Sequence, residues 1–519
     1  MNSNTNLNKN AINTRQMLGV LGAFFAIFTL IAALSSFASS GESNNPKLQY
    51  VKPILQDQYV EYDTDYTVTF VVNSTVYAGC GVDNGQAVLK PTNPTADGIY
   101  FNGWRTAQNG GEKITFPYTP TSDATLYASF TENVVLGFSG LTDGAEGLVW
   151  TDHIEGEASY KTTRKGDYVS VTSPLDNYFP FSEIEEFTDE NGNTFVKFPK
   201  CYIKFDITSN SGSKAIDGFH VANYQVDDSY FIPDCFLDPS DTTCSTYLDY
   251  FALAKYESSG SATKAYSQPG KECLSGITLN AHRQAARAYG TADNYYGGYQ
   301  IEDFSMYSLY NMLCMLYYKT GDVQSVYEGR TGAIRGITWM STAFTGTTDG
   351  VSGLNGWNTA SHCVKMLGVE NPYGNIEKMI DGVFTTTVSR GEELLPQLYV
   401  YRLPQYFCAL GADFTNAVPV YILANDSGVI KNLMVGTMTQ STGNDCYVVV
   451  AYPCSFSLGE ESEIKDFYNY TETELNVKMN VITSGNYSSG TDAGLWYWNS
   501  ATDTTSLDVG SRLAYRPVN

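Results

Sequence analysis

The chain has 519 residues, of which 43% are hydrophobic, so we expect a folded protein with about three domains rather than one core. Its formal charge of -24 comes from 31 Lys and Arg against 55 Asp and Glu. Such a surface repels a phosphate backbone, which excludes nucleic acid as a partner. The 39 Tyr and 46 Gly are typical of extracellular β-rich modules and of adaptable binding surfaces.

Residues 17–38 form a nearly unbroken apolar run without charge. As a helix, this run is long enough to cross a hydrocarbon core of about 30 Å. The basic residues Lys9 and Arg15 precede it, which predicts a cytoplasmic tail over residues 1–16 and export of everything after the run. The small residues near position 38 also fit signal-peptidase cleavage, but the length of the run favours a retained anchor. We therefore expect a cell-surface protein attached to the membrane through residues 17–38, followed by a polar spacer over residues 39–65.

Ten cysteines are scattered along the chain without close CxxC pairs, so no thiolate metal site is predicted. Cys201 and Cys314 lie in apolar runs, a context typical of buried free thiols. Two pairs are close enough in sequence to close short loops as disulfides in an exported chain: Cys235 with Cys244, and Cys446 with Cys454. The sequence leaves the pairing open.

Short strands separated by Pro and Gly turns are predicted over residues 66–132. The strand TVTF, the turn KPTNP, the aromatic block FNGW and the closing strand TLYASF follow one another in this stretch. In this order they resemble the Listeria–Bacteroides repeat, also called the internalin B-type repeat, a small β-grasp-like module of bacterial surface proteins. The resemblance implies a stalk, with Trp104 in its core.

The remainder of the chain, residues 134–519, contains no Gly-rich phosphate loop after a strand, no HExxH and no GxSxG motif. Apolar residues at helical spacing predict helices over Leu279–Tyr289 and Asp303–Tyr318, whose stripes are interpreted as core. The histidines lack an evident carboxylate and nucleophile nearby in sequence, so we interpret each as structural or exposed: His153, His220, His282 and His362. No catalytic residue is predicted.

Several blocks of this remainder carry a second resemblance. FVKFPK at 195–200, LGVENPYGNIEKMIDG at 367–382, GLWYWN at 494–499 and GSRLAY at 510–515 occur in this order. Together they resemble the C-type-lectin-fold domain shared by formylglycine-generating enzymes and the variable proteins of diversity-generating retroelements. The expected fold class is thus α+β, with a C-type-lectin-fold head over residues 134–519, a β-grasp-like stalk and an N-terminal transmembrane helix.

Strand periodicity in GLWYWN places Trp496 and Trp498 on one face, and Leu495, Tyr497 and Asn499 on the other. One face can be core and the other open; an edge hairpin with a solvated loop is the alternative. The resemblance implies a binding and variable region over about residues 485–513, in which Trp496, Trp498, Gly510, Arg512 and Leu513 are scaffold. It implies these solvent-facing, variable and ligand-binding residues: Tyr487, Thr491, Asp492, Tyr497, Asn499, Ser500, Asp503, Thr504 and Asp508.

These candidates are Tyr, Thr, Asp, Asn and Ser, all reachable from an Asn codon by changing adenines, which is how an error-prone retroelement diversifies such a protein. They are also common loop residues. Glu370 and Asp381 offer oxygen ligands for calcium. The favoured interpretation is that Glu370, Asn371 and Asn375 cross-link a loop through hydrogen bonds to backbone groups. No metal and no cofactor are therefore expected.

The leading hypothesis is a surface-displayed ligand-binding protein, an adhesin or receptor, that binds an extracellular protein or glycan and is not an enzyme. An extracellular enzyme of the formylglycine-generating superfamily is the first alternative. Those enzymes use a cysteine pair near the C-terminus, and this chain has no cysteine after Cys454. A phage tail receptor-binding protein is the second, against which the apolar run at 17–38 argues.

Overall fold

A computed structural model describes most of the chain from residue 50 onward. The described ranges are 50–55, 64–94, 99–142, 147–152, 154, 159–210, 213–290, 298–332, 341–407, 417–423, 426–435, 438–439, 445–446, 451–457, 463–471, 473–502 and 505–517. The predicted cytoplasmic tail and the apolar run at 17–38 lie outside these ranges. Among the helices that the model does describe, none has both the length and the apolar character needed to span a membrane.

The chain divides into two compact units, Met1–Thr95 with Phe101–Phe130, and Ala96–Tyr100 with Thr131–Asn519. The first unit contains a five-stranded sheet whose strands lie in the order Ile54–Leu55, Thr75–Val82, Tyr66–Val72, Ala124–Glu132 and Ile99–Arg105. A short parallel pair, Tyr50–Val51 with Ala87–Val88, accompanies it. Trp104 is fully buried and meets Phe70 edge to face at 4.8 Å between ring centroids. The prediction that Trp104 belongs to the core is confirmed.

The second unit is built mainly from β-strands, and the predicted α+β class is wrong. One mixed sheet has 13 strands. Ten lie in the order Val418–Ile422, Glu393–Val400, Glu377–Arg390, Lys478–Thr483, Trp498–Ala501, Phe467–Tyr468, Gly428–Val435, Ser213–Ala222, Val135–Ser139 and Val149–Asp152. The others flank this path: Tyr202–Asn210 on Ser213–Ala222, Ala451–Ser457 on Gly428–Val435, and Val509–Gly510 on Glu377–Arg390.

Smaller sheets complete the second unit. One has the order Lys161–Lys165, Tyr168–Thr172, Gly356–Asn358, Val364–Met366 and Val369–Glu370. Another has the order Glu185–Thr188, Thr194–Pro199, Tyr250–Ala254, Leu513–Tyr515 and Tyr299–Ile301. Two-stranded pairs are formed by Ser259–Ser261 with Lys264–Tyr266, and by Met438–Thr439 with Asp445–Cys446.

The described part of the chain holds two α-helices, and both were predicted to within two residues. Helix α1, Leu279–Arg287, begins at Thr278, whose hydroxyl accepts a hydrogen bond from the amide of Ala281. Helix α2, Phe304–Tyr318, begins at Asp303, whose carboxylate accepts from the amides of Ser305 and Met306. Every residue of α2 is buried, so this helix forms the centre of the main hydrophobic core.

The segment 493–501 departs from the predicted strand. Only Trp498–Ala501 is a strand, and the chain turns before it because the buried carboxylate of Asp466 accepts a hydrogen bond from the amide of Trp496. Gly494 is required in this turn, since a Cβ atom there would overlap that carboxylate. Trp496 and Trp498 are fully buried, as predicted. Leu495 and Tyr497 are also buried, at 1% and 5% exposure, so the predicted open face is wrong at these two positions.

The structure settles some of the predictions about the cysteines. Cys201 and Cys314 are buried free thiols, as predicted from their apolar context. Cys235 is also a free, fully buried thiol, so the loop-closing disulfide with Cys244, one of the two pairs that the sequence left open, is not formed. Desolvation by burial raises the pKa of the Cys201, Cys235 and Cys314 thiols, which keeps them protonated.

Candidate ligand-binding site

Three loops are tied to the beginning of the long strand Glu377–Arg390. The amide of Glu377 donates to the carbonyl of Asp508 at 3.0 Å, and the amide of Tyr487 donates to the carbonyl of Asn375 at 3.2 Å. The side-chain oxygen of Asn375 accepts from the amide of Ala343 at 2.6 Å. Asn375 and Glu377, at and just before the start of this strand, therefore fix the positions of the loops around 343, 487 and 508 relative to one another.

Polar side chains from these segments meet around one carboxylate. The hydroxyl of Tyr497 lies 3.3 Å from Glu377 Oε1, and Asn486 Nδ2 donates to the same oxygen at 3.4 Å. Asn469 Nδ2 donates to the hydroxyl of Tyr497 at 3.1 Å. Beside this group, the hydroxyl of Tyr487 donates to Asp508 Oδ1 at 2.8 Å. We call these six residues the Glu377 site: Glu377, Asn469, Asn486, Tyr487, Tyr497 and Asp508.

The electrostatics of the site are those of a buried acid. Glu377 is 8% exposed, and desolvation raises the pKa of its carboxyl group to about 7 against the lowering effect of Tyr497. The nearby Asp508 carboxylate adds to this rise. The hydrogen bond to Asp508 raises the pKa of Tyr487, and burial raises that of Tyr497, so both phenols stay protonated at neutral pH.

The nine candidates predicted from sequence fall into distinct environments. Thr491 and Asp492 are exposed on the short 3-10 helix Gly490–Asp492, and Tyr487, Asn499 and Asp508 are partly exposed. Asp503 and Thr504 lie outside the described residues. Tyr487, Tyr497 and Asp508 are the predicted residues that the structure brings together in the Glu377 site.

Tyr497 and Ser500 contradict the prediction that they face solvent. Tyr497 is 5% exposed, because the turn held by Asp466 points the ring inward and leaves its hydroxyl on Glu377. Ser500 is 8% exposed and pairs with Val481 in the sheet. It lines a cavity of about 10 Å³ together with Thr385, Thr387 and Tyr470, and none of the six residues of the Glu377 site lines this cavity.

Glu377, Asn469 and Asn486 were not predicted as site residues. Glu377 lies within the block LGVENPYGNIEKMIDG, which the sequence marked as a family block without separating a binding position from the scaffold. Asn486 falls inside the region 485–513 but has the same residue type as many loop positions. Asn469 reaches the site only because strand Phe467–Tyr468 pairs with Trp498, a contact that the sequence does not show.

Residues 66–129 match the Listeria-Bacteroides repeat domain. The match begins where the predicted repeat begins and ends three residues before its predicted end at 132. Repeats of this family occur in surface proteins, which indicates that this is a surface or extracellular protein. Apart from Ala96–Tyr100, the Listeria-Bacteroides repeat lies in the first unit, and the Glu377 site lies in the second.

The block ENPYGN, at 370–375, lies outside the Listeria-Bacteroides repeat. Its side chains accept hydrogen bonds from backbone amides, which is the role predicted in preference to calcium binding. The carboxylate of Glu370 accepts from the amides of Gly346 and Thr348 at 2.7 and 2.8 Å. Asn371 Oδ1 accepts from the amide of Val364 at 3.2 Å. Asp381 is instead bound by both Nε and Nη2 of Arg283, at 2.9 and 2.6 Å. Within the ranges that the structure describes, no cluster of metal-ligating side chains occurs.

Arg512, expected as scaffold, holds this block against the sheet. It is 1% exposed, and its guanidinium donates to the carbonyl oxygens of Ala254 at 2.9 Å and Glu370 at 2.6 Å. It also donates to the carbonyls of Lys255 and Asn371. A buried guanidinium thus links residues 370–371 to residues 254–255.

In the second unit, the ring nitrogens of His220 and His282 lie at hydrogen-bond distance from side-chain oxygens. His220 Nδ1 lies 2.8 Å from Asp152 Oδ2, and its Nε2 lies 2.6 Å from Asp206 Oδ2. His282 is fully buried with Nδ1 at 2.9 Å from the hydroxyl of Ser511, and burial lowers its pKa to about 4. Neither histidine belongs to the Glu377 site, and His153 lies outside the described residues.

Proposed function

We propose that this surface protein is a ligand-binding protein, an adhesin or receptor, and that the Glu377 site binds an extracellular partner. The observation that carries the proposal is the convergence of the Tyr487–Asp508 pair and the Tyr497–Glu377 pair at one end of a long strand. Residues distant in sequence supply these groups, and backbone hydrogen bonds to the strand fix their loops. Binding residues on loops held by a rigid scaffold are the usual arrangement of a recognition site.

The residue types support binding rather than catalysis. Tyrosine supplies contact area at low entropic cost, and asparagine and aspartate supply hydrogen bonds. Exposed Thr491 and Asp492 and partly exposed Asn499 extend the polar surface beyond the Glu377 site. No described histidine or cysteine is hydrogen-bonded to Glu377 or Asp508.

Diversification by a retroelement is the second part of the proposal. The burial pattern restricts which positions can vary without cost to the fold. Among the described candidates, five retain exposure: Tyr487, Thr491, Asp492, Asn499 and Asp508. Tyr497 and Ser500 are buried, so substitution there would change packing as well as recognition.

Sequencing the gene and its flanks from a population of cells tests the diversification. We expect substitutions at adenine-containing codons to concentrate on the five exposed positions, with a near-copy template and a reverse-transcriptase gene alongside. Codons for the buried Trp496, Trp498 and Arg512 should stay constant. A segment 485–508 as constant as residues 195–200, with no template nearby, would show that this part of the proposal is wrong.

Selection of peptides from a random display library tests the binding site itself. The full chain is immobilised, and a parallel selection uses the double variant Tyr487→Ala/Asp508→Ala. Both side chains are partly exposed, so the variant is expected to fold. Peptides enriched on the wild-type protein should bind the variant at least about tenfold more weakly. Equal enrichment on both proteins would exclude the Glu377 site as the binding site.

A further inference from the structure

The carboxylate of Glu377 is only half satisfied. Its Oε1 accepts from Tyr497 and Asn486, whereas its Oε2 accepts no hydrogen bond from any residue that the structure describes. The side chain is 8% exposed, and Oε2 is not one of its fully buried atoms, so a group from outside the chain can reach this oxygen. A hydrogen-bond donor supplied by a ligand would complete the hydrogen bonds of a carboxylate that is otherwise largely desolvated.

Lys378 lowers the pKa of Glu377, but this cation does not outweigh the desolvation of the acid. Glu377 forms no salt bridge within the described ranges, and the neighbouring Lys378 directs its ammonium to the carbonyl of Ile376 at 3.0 Å and toward Glu257 at 3.7 Å. Residues 479–511 contain no Lys and no Arg, but they contain Asp492, Asp503 and Asp508. Within the described residues, neither Glu377 nor Asp508 is therefore neutralised by a salt bridge.

A second carboxylate lies beside the first. The carbonyl of Asp508 binds the amide of Glu377, and the Asp508 charge is close enough to raise the pKa of the Glu377 carboxyl group. Asp508 Oδ1 is occupied by the hydroxyl of Tyr487. One oxygen of each carboxylate thus accepts a hydrogen bond from a tyrosine hydroxyl. The rings of Tyr487 and Tyr497 therefore lie beside the two carboxylates. Carboxylates next to aromatic rings are the surroundings in which proteins bind guanidinium and ammonium groups.

We propose that Glu377 and Asp508 form a subsite for a cationic side chain, a guanidinium or an ammonium group, presented by a protein ligand. This inference rests on the proposed binding function of the Glu377 site and narrows its ligand to a class. A glycan without amino groups has no fixed positive charge to offer these carboxylates. The subsite therefore favours a protein partner over a neutral or acidic glycan.

Capped amino acids test the subsite directly in the full chain. The probes are Nα-acetylarginine methylamide, its neutral isostere Nα-acetylcitrulline methylamide, and Nα-acetyllysine methylamide, titrated by ligand-observed NMR at about pH 8, where Glu377 is ionised. We expect the arginine probe to bind at least about tenfold more tightly than the citrulline probe. The lysine probe shows whether the guanidinium fork or the charge alone decides the preference.

Glu377→Gln is the decisive variant, because glutamine keeps the size and an acceptor oxygen for Tyr497 and Asn486 while removing the charge. The preference for arginine over citrulline should disappear. Glu393→Gln makes the same chemical change at an exposed position, the first residue of the strand that pairs with the far end of the long strand, and should leave the preference intact. Equal binding of arginine and citrulline by the wild-type protein, or a preference unchanged in Glu377→Gln, would overturn the subsite.

The pH dependence gives a second readout. The charged and titratable groups facing Glu377 are Asp508, Lys378 and Tyr497. Because the pKa of Glu377 is about 7, protonation at about pH 6 should weaken the arginine preference several-fold, whereas the binding of citrulline should change little. If peptides selected through Tyr487 and Asp508 lack Lys and Arg, the cation subsite is wrong but the binding function stands. If no selected peptide depends on Tyr487 and Asp508 for binding, the proposed binding function itself is wrong.

Discussion

The hydroxyl of Tyr487 donates a 2.8 Å hydrogen bond to the carboxylate of Asp508, which lies 21 residues further along the chain. The backbones of the two loops also bind Asn375 and Glu377, the first just before and the second at the start of strand Glu377–Arg390. Each loop is thus fixed twice, once to this segment and once to the other loop. The polar surface between them is held in shape before a ligand arrives, which lowers the entropic cost of binding.

Removing this bond should affect binding more than folding. Tyr487→Phe deletes only the hydroxyl, and because both side chains are partly exposed, we expect the free energy of unfolding to fall by less than about 1 kcal/mol. Thermal unfolding of Tyr487→Phe, Asp508→Asn and the double variant forms a double-mutant cycle. Additive effects of the two single changes would show that the bond does not couple the loops.

Tyr497→Ala should destabilise the fold. The ring is 5% exposed, and truncating a buried aromatic side chain costs about 3–5 kcal/mol. Asn499→Ala, two residues later and partly exposed, is the matched control and should cost less than about 1 kcal/mol. Thermal unfolding followed by circular dichroism distinguishes the two variants. A Tyr497→Ala protein that unfolds at the wild-type temperature would contradict the buried position of the ring.

Tyr497 also shows where prediction from sequence ends. Alternation of apolar residues in GLWYWN correctly predicts that both tryptophans are buried, although only Trp498 lies in a strand. The error at Tyr497 comes from contacts far away in sequence. Asp466 accepts from the amide of Trp496 across 30 residues, and Tyr307 donates to the carbonyl of Leu495 across 188 residues. The hydrogen bonds to Asp466 and Tyr307 hold residues 495–496 in a turn instead of a strand. No local pattern in the sequence predicts these two contacts.

The same contrast applies to the fold. Helix α2 could be predicted because its apolar spacing and its cap at Asp303 are local features. The class was wrong because many strands of the second unit are short, such as Val364–Met366 and Val369–Glu370. They are specified by pairing with distant partners rather than by periodicity. The acid of the Glu377 site was missed for a related reason, since burial rather than residue type distinguishes Glu377 from other glutamates.

Arg512→Lys should be strongly destabilising although it keeps the charge. The guanidinium serves carbonyl oxygens on two segments, Ala254–Lys255 and Glu370–Asn371, and one ammonium group cannot reach all of them. Leaving buried carbonyls unpaired costs about 1–3 kcal/mol each. Arg164→Lys, on the exposed strand Lys161–Lys165, should change the melting temperature little. Similar melting temperatures for both variants would exclude Arg512 as the link between the segments.

His220 should make stability depend on pH near neutrality. Burial alone would lower its pKa, but the hydrogen bonds to Asp152 and Asp206 outweigh this and raise it above the ordinary value. The stabilisation is therefore fully present below the unfolded pKa of about 6.5 and is lost as the pH rises through the higher folded pKa. The melting temperature of wild type minus that of His220→Gln should be largest in mild acid and shrink toward alkaline pH. A constant difference would show that the charge of His220 does not contribute.

The ionised carboxyl group of Glu377 should lower the free energy of unfolding. Its folded pKa of about 7 lies above the ordinary value of 4.5, so the fold is favoured most when the carboxyl group is protonated in both states. That advantage is lost as the pH rises from the unfolded pKa through about 7, and ionised Glu377 then costs on the order of 3 kcal/mol. Glu377→Gln should accordingly melt higher than wild type at about pH 8 and no higher at about pH 4, with Glu393→Gln unchanged at both. A lower melting temperature for Glu377→Gln at alkaline pH would mean that the ionised acid stabilises the fold, which would contradict a carboxylate that only a cation from a ligand can fully compensate.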